Sequence, residues 1–264
     1  MPPDFDTNIP NPSRVYDYWL GGAHNFASDR ELAEKVAKIA PEAREVCRIN
    51  RAFLRRAVLF MIDSGIDQFI DLGSGMPTVG NVHEIAQRAN PECRVVYVDK
   101  EPVAVAHSEL MLDGDDHSTV IQADLCDTDY VVNHPRVADM IDFSRPVGVL
   151  ALASLHFLPD SLDPSCIMSR YRDRILPGSY LAISHMNANH NHPRGSEAAD
   201  MYGGATTSRM IFRDEDQIRG MFAGFELIEP GLVGIGCWRP EGRHEVSQDD
   251  QVNRFFLGGV GRKR

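Results

Sequence analysis

The chain has 264 residues, 43% apolar, 25% charged and 8% aromatic, the balance of a protein that buries a sizeable core. Its 27 basic against 38 acidic residues leave a formal charge of −11, opposite in sign to the basic stripe of proteins that grip nucleic-acid phosphates. The longest apolar stretch, Val147–Leu155, falls well short of the roughly 20 residues a membrane helix needs, and Met1–Asn11 has neither the basic nor the apolar region of a secretory leader.

The expectation is a cytoplasmic protein with no nucleic-acid or membrane partner and with nothing to say of its oligomeric state. Five cysteines, Cys47, Cys93, Cys126, Cys166 and Cys237, lack metal-ligand spacing and read as buried thiols of a reducing compartment.

Near the N-terminus Tyr16 and Trp19 stand three apart on a short helix that Gly21 and Gly22 stop. Residues 28–64 then carry apolar positions at helical spacing, Leu32, Val36 and Ile39 followed by Val46, Ile49, Phe53, Leu54, Ala57 and Met61; Pro41 divides them into two helices. From there short apolar runs alternate with amphipathic stretches, the pattern of strand and crossover helix. A strand over Gln68–Leu72 leads through a glycine turn to a helix from about Thr78 to Ala89, with Val79, Val82, Ile85 and Ala86 on its apolar face. A second strand, Arg94–Val98, precedes a helix with Pro102 in its first turn and Gly114 as its C-cap. Strands over Thr119–Ala123 and Val147–Ala153 follow, the latter apolar on both faces as a central parallel strand should be. A helix from Pro164, a strand over Tyr180–Ser184, a helix over Asp214–Phe222 and strands over Phe225–Ile228 and Phe255–Val260 complete the chain. The prediction is a single α/β domain: a Rossmann-like, doubly wound, mostly parallel seven-stranded sheet over 65–264, with a helical N-terminal extension over 1–64.

Such sheets bind ligands beyond the carboxyl ends of their strands. After the first strand the chain reads Asp71, Leu72, Gly73, Ser74, Gly75, where glycines let the backbone turn tightly and approach a ligand. The dinucleotide form of this turn would have a further glycine at position 78, which is Thr78. Asp71 suits a cationic ligand; Asp99, ending the second strand, could accept from ribose hydroxyls, and Asp124, ending the third, from an adenine amine. The competing reading of each is a helix N-cap or surface turn.

DLGSG at 71–75, VYVDKEP at 96–102, QADL at 122–125 and LPGSYL at 176–181 resemble the motif series of class I S-adenosylmethionine-dependent methyltransferases. SRVYDYWLGGAHNFASDRE at 13–31, MPTVGNVHEIAQ at 76–87 and ASLHFLPD at 153–160 further resemble a bacterial subfamily of S-adenosyl methyltransferases, formerly a domain of unknown function. The resemblance implies S-adenosylmethionine as cofactor and a small-molecule acceptor with an oxygen or nitrogen nucleophile. Its cofactor-binding residues would be Asp71, Gly73, Ser74, Gly75, Asp99, Lys100, Asp124, Leu125, Ala153 and Ser154.

Tyr18 and Asn25 are expected in a lid, the ring facing the sulfonium and the amide at the methionine end, unless the aromatic segment is merely an anchor. Asn81 and His83 fall near the glycine turn, on a helix surface. His156, after the fourth strand, is the candidate base, against a histidine merely satisfied by a backbone carbonyl. His185, His190 and His192 sit in a polar stretch after the fifth strand; zinc ligation is the lesser reading there, and no metal is expected. No Asn-Pro-Pro-Tyr motif follows the fourth strand, which argues against methylation of nucleic-acid amines. Two alternatives stay open: an S-adenosylmethionine-binding regulator without turnover, and an NAD-dependent oxidoreductase.

Overall fold

In the computed structural model, which describes residues 6–78, 80–188, 193–206, 208–242, 246–247 and 250–264, the apolar runs form one sheet. Strand β1 (Gln68–Leu72) is buried along its whole length and lies between β2 (Arg94–Asp99) and β4 (Gly148–Leu152), both parallel to it. Strand β3 (Ser118–Gln122) adds beside β2 and β5 (Tyr180–Met186) beside β4, also parallel. The order β3-β2-β1-β4-β5 reverses direction between β1 and β4, which opens the ligand crevice there. Strand β8 (Phe256–Lys263) runs antiparallel on β5, and β6 (Phe225–Leu227) and the two-residue β7 (Val233–Gly234) pair with β8. The eighth strand, β7, exceeds the predicted seven because two residues are too short to leave an apolar run.

Side-chain alternation divides the strands between two cores. Ile70, Leu72, Val96 and Val98 face α6 (Thr128–Asn133), α7 (Pro135–Met140), α8 (Pro164–Arg174) and α10 (Glu215–Gly220). Phe69, Val95 and Tyr97 face α3 (Ala43–Asp63), α4 (Val82–Ala89) and α5 (Pro102–Met111), with Val252 of α11 (Asp250–Phe255) in the same core. Helices α6 and α7 were not foreseen; each has six residues, too few for periodicity, and they start where Asp127 caps Tyr130 N–H and where Pro135 opens a turn. Helix α4 begins at Val82 rather than Thr78, because the Asn81 side chain accepts from Thr78 N–H (3.0 Å) and holds a turn there; Val79 lies outside the described residues.

The N-terminal helices α1 (Pro12–Trp19) and α2 (Ala27–Ile39) belong to neither core. Val15, Leu32, Ala33 and Val36 cluster with Ala198 and Tyr202 of α9 (Pro193–Ala205). Fully buried Asp29 accepts from Arg14 Nε (2.8 Å), Asn11 N–H (2.9 Å) and Phe26 N–H (2.8 Å), which fixes the α1–α2 pair. Asn11 Nδ2 in turn donates to Glu101 Oε2 (2.8 Å), just past β2, and so ties the pair to the sheet. All five cysteines are free, but Cys166 and Cys237 are exposed rather than buried. No helix among the described residues is long and apolar enough to cross a membrane.

Candidate functional site

A cavity of about 490 Å³ lies beyond the carboxyl ends of β1, β2 and β4, within the size range of small-molecule sites. Its floor is the glycine turn. Gly73 and Gly75 adopt φ of +72° and +69°, and a Cβ on Gly73 would stand 2.6 Å from Ser154 Cβ, so the turn has room for backbone only. Gly75 N–H donates to Asp99 Oδ2 (2.7 Å) and Glu101 N–H to Asp99 Oδ1 (2.9 Å), which aims the carboxylate along the wall and leaves lone pairs on both oxygens. Burial raises the Asp99 carboxyl above its ordinary value, and those N–H groups oppose the rise.

Asp71 shares a face of β1 with Phe69 and therefore points toward α3, whose Arg51 lines the same wall. Arg51 Nη2 donates to Gly80 O (2.8 Å). Burial lifts the Asp71 carboxyl from 3.8 to about 7, against the pull of the Arg51 guanidinium and with a further push from Asp99. A carboxylate beside a guanidinium complements a zwitterion. At the third strand end Asp124 Oδ1 accepts from Cys126 N–H (2.9 Å), Lys100 Nζ stands 4.0 Å from Oδ2, and Leu125 adds an apolar surface.

Beyond β4, Ala153 takes φ of +53°, a left-handed conformation that strains a residue with a Cβ. Its N–H donates to Ser184 Oγ (2.9 Å), and the turn brings Ser154 over Gly73, with Ser154 Oγ buried and unpartnered. His156 follows in a single 3-10 turn, Leu155–Phe157, and its ring meets Phe256 and His185 edge-on. Burial, then His185 and Arg213, push its imidazole well below the usual 6.5, so the ring is neutral and weakly basic at pH 7; Nδ1 is buried without a partner rather than satisfied by a carbonyl.

His185 is a strand residue, not part of a loop. It stands within β5, donates from Nδ1 to Met186 O (2.8 Å) and accepts at Nε2 from Arg213 Nη1 (2.9 Å), while burial lowers it to about 4. Buried Arg213 also donates to Leu155 O (3.1 Å), Leu158 O (2.7 Å) and Asp160 Oδ1 (2.7 Å), clamping the turn that carries His156. His190 and His192 lie outside the described residues, among which no group of three His, Cys, Asp or Glu side chains is placed to hold a metal.

The cavity thus gathers Asp71, Gly73, Ser74, Gly75, Asp99, Lys100, Asp124, Leu125, Ala153, Ser154 and His156. It does not include Tyr18 or Asn25. Tyr18 OH donates to Glu34 Oε1 (2.7 Å) and its ring faces the Arg44 guanidinium; Asn25 Nδ2 donates to buried Asp17 Oδ2 (2.8 Å) and to Gly22 O (2.9 Å). Helical geometry explains the difference: Tyr16 and Trp19, three apart, share the face of α1 turned to the cavity, and Tyr18 is rotated off it. Asn81 caps its own turn and His83 Nδ1 meets Tyr97 OH (2.7 Å), both away from the cavity wall. Among the polar lining residues that sequence reasoning missed are Asn50 and Arg51 of α3, and Tyr16 reaches the cavity in place of Tyr18. Tyr16 OH donates to Cys47 O (3.2 Å) and accepts from Asn50 Nδ2 (3.1 Å), and Asn50 Oδ1 is buried without a partner. The signal available was Asn50 itself, a polar residue interrupting the buried stripe of α3.

The family model described as S-adenosyl methyltransferase matches residues 1–264. A crystal structure of a candidate methyltransferase from Thermobifida fusca is 38% identical, covers 100% of this chain and 98% of its own, and superposes with a TM-score of 0.92. A DUF574 family protein from Streptomyces avermitilis is 32% identical over 98% of this chain and 99% of its own, with a TM-score of 0.93. At 9% identity the plantazolicin methyltransferase BpumL, solved in complex with SAH, shares the fold over 96% of this chain and 95% of its own, with a TM-score of 0.51. None of the curated proteins matches the chain.

Proposed function

The chain belongs to the S-adenosyl methyltransferase family, and from that premise we propose that it holds S-adenosylmethionine across the ends of β1, β2 and β3 and methylates a small-molecule acceptor. The observation that carries this reading is a carboxylate at each of three successive strand ends, set around a turn with no room for a side chain. The donor set fits the group. Asp71 would take the ammonium and Arg51 the carboxylate of the amino-acid end, with the unpartnered Asn50 Oδ1 and Ser74 Oγ nearby. Asp99 would accept from the ribose hydroxyls; Asp124 would accept from the adenine amine, whose ring would lie against Leu125. Bound there, S-adenosylmethionine would supply a methyl carbon that its sulfonium makes electrophilic: an acceptor lone pair would bond to that carbon as its bond to sulfur breaks, releasing neutral S-adenosylhomocysteine and, to solvent, the acceptor's proton.

The protein's part is then alignment and exclusion of water, for which α1, α2 and α9 cover the strand ends. His156 would receive a hydrogen bond from the acceptor more readily than a full proton, since its basicity is suppressed. The charge of −11 favours a small acceptor over a polyanion, and the five free thiols suit the cytoplasm. Residues 1–264 would act as one catalytic domain. Calorimetry tests the reading: S-adenosylmethionine should bind one per chain and NADH should not, and absence of heat with S-adenosylmethionine sinks it. The weak basicity of His156 also favours a second reading, a regulator that binds without turnover, which any release of S-adenosylhomocysteine in the presence of an acceptor mixture would exclude.

A further inference from the structure

We propose that the end of this cavity beneath α1, α2 and α9 is the acceptor chamber, and that it selects a neutral, flat, ring-bearing molecule with one small polar group. The inference rests on the cofactor reading, which assigns the strand ends to S-adenosylmethionine and leaves this end for the molecule to be methylated.

The wall here differs in chemistry from the wall at the strand ends. Trp19, Phe157 and Tyr202 form a row of near-parallel rings, with Trp19–Tyr202 centroids 6.4 Å apart at 29° and Phe157–Tyr202 centroids 6.3 Å apart at 28°. Val36, Ala198 and Met210 pack among them. Among the described lining residues, charged side chains come from the strand ends and from the α2–α3 turn and α3, where Glu42 and Arg51 stand; the Leu155–Leu158 turn, α9 and the Ser208–Phe212 segment contribute none. An ion placed in this end would lose its hydration without gaining a counter-charge, whereas a flat apolar ring gains contact with the aromatic row.

Two buried polar atoms without partners, Ser154 Oγ and His156 Nδ1, sit between this end and the glycine turn, on side chains only 8% and 3% exposed. Each loses a hydrogen bond in the closed protein, a cost that one hydroxyl or amine on the ligand would remove. Both follow β4, with Ser154 against Gly73, which puts that polar group at the junction with the cofactor end. The chamber therefore holds the hydrocarbon body of the acceptor against α9 and turns its nucleophile toward the strand ends.

Three probes with one ring system separate charge from shape: 2-naphthol, 2-naphthoate and 2-naphthylmethylammonium, each dialysed to equilibrium against protein saturated with S-adenosylhomocysteine at pH 7.5. The neutral probe should bind at least about tenfold more tightly than either ion. The variant Ala199→Trp, which fills the chamber from α9, should weaken 2-naphthol at least about tenfold while S-adenosylhomocysteine affinity stays within about twofold. If that variant does not fold, the wild-type series decides alone. Equal or tighter binding of an ion, no binding of 2-naphthol to the saturated protein, or undiminished binding in folded Ala199→Trp overturns the proposal; failure of S-adenosylhomocysteine to bind overturns the cofactor reading instead.

Discussion

With the ammonium assigned to Asp71, cofactor binding should be a function of pH. Its carboxyl, lifted by burial from 3.8 to about 7, is half protonated at neutrality, and only the ionised form attracts an ammonium. Because the folded value lies above the unfolded one, the stability this group contributes is fully present below pH 3.8 and is lost as the pH rises through 7, by about 4 kcal/mol once it is ionised. An ammonium beside it removes much of that penalty, so ligand affinity should rise over the same window in which the ligand-free protein loses stability. The ligand's own amine, with a free value near 8, stays charged below 7. Affinity should fall roughly tenfold for each pH unit well below 7, which, with the partial deprotonation of the amine at the upper end, makes pH 7.5 roughly 20-fold tighter than pH 5.5. Calorimetric titration of S-adenosylhomocysteine at pH 5.5, 6.5 and 7.5 measures this directly. In Asp71→Asn the affinity should be low and flat across the three values. A wild-type profile that is flat, or a slope that survives in Asp71→Asn, would refute the assignment of the ammonium to Asp71.

Two further outcomes follow from packing. Gly73→Ala combines a left-handed φ of +72° with a Cβ 2.6 Å from Ser154 Cβ, so it should lower stability by about 2–4 kcal/mol and abolish cofactor binding; part of the stability should return in the double variant with Ser154→Gly, as read by thermal unfolding. Arg213→Leu strips the carbonyls of Leu155 and Leu158 and the Nε2 of His185 of their donor, and denaturant unfolding should show a loss of about 2–5 kcal/mol; a loss under 1 kcal/mol would mean that the clamp on the His156 turn is not real.

The sheet was legible because each central strand is an apolar run bounded by a turn residue, and crossover helices of ordinary length separate most of them. The site was legible where chemistry sits next to a strand end: Asp71, Asp99 and Asp124 fall where the order of elements places them. It was illegible where a side chain reaches the cavity from a distant helix. Arg51 reads in sequence as one more basic residue of an amphipathic helix, and only the packing of α3 on the Asp71 face of β1 brings it to the cavity wall. Tyr18 lies off the cavity for the opposite reason: its helix lines the cavity through Tyr16 and Trp19, but the face that α1 presents depends on the bonds of Asp29 and Asp17, which no local pattern reveals. His185 was misplaced because β5 runs two residues past Ser184, where Arg213, far along the chain, supplies the partner that keeps a polar ring inside the sheet.

The N-terminal helices carry their own apolar cluster, shared with α9, while the sheet keeps two others. Cooperative units of this kind separate at a fraction of the cost of global unfolding. Polar contacts such as those of Asn11 with Glu101 and of Tyr16 with Asn50 join this cluster to the rest of the chain, and Phe157, in the turn past β4, stacks on Tyr202 within it. A cover with an apolar core of its own can change in sequence to fit a different guest while the two sheet cores beneath it keep their packing.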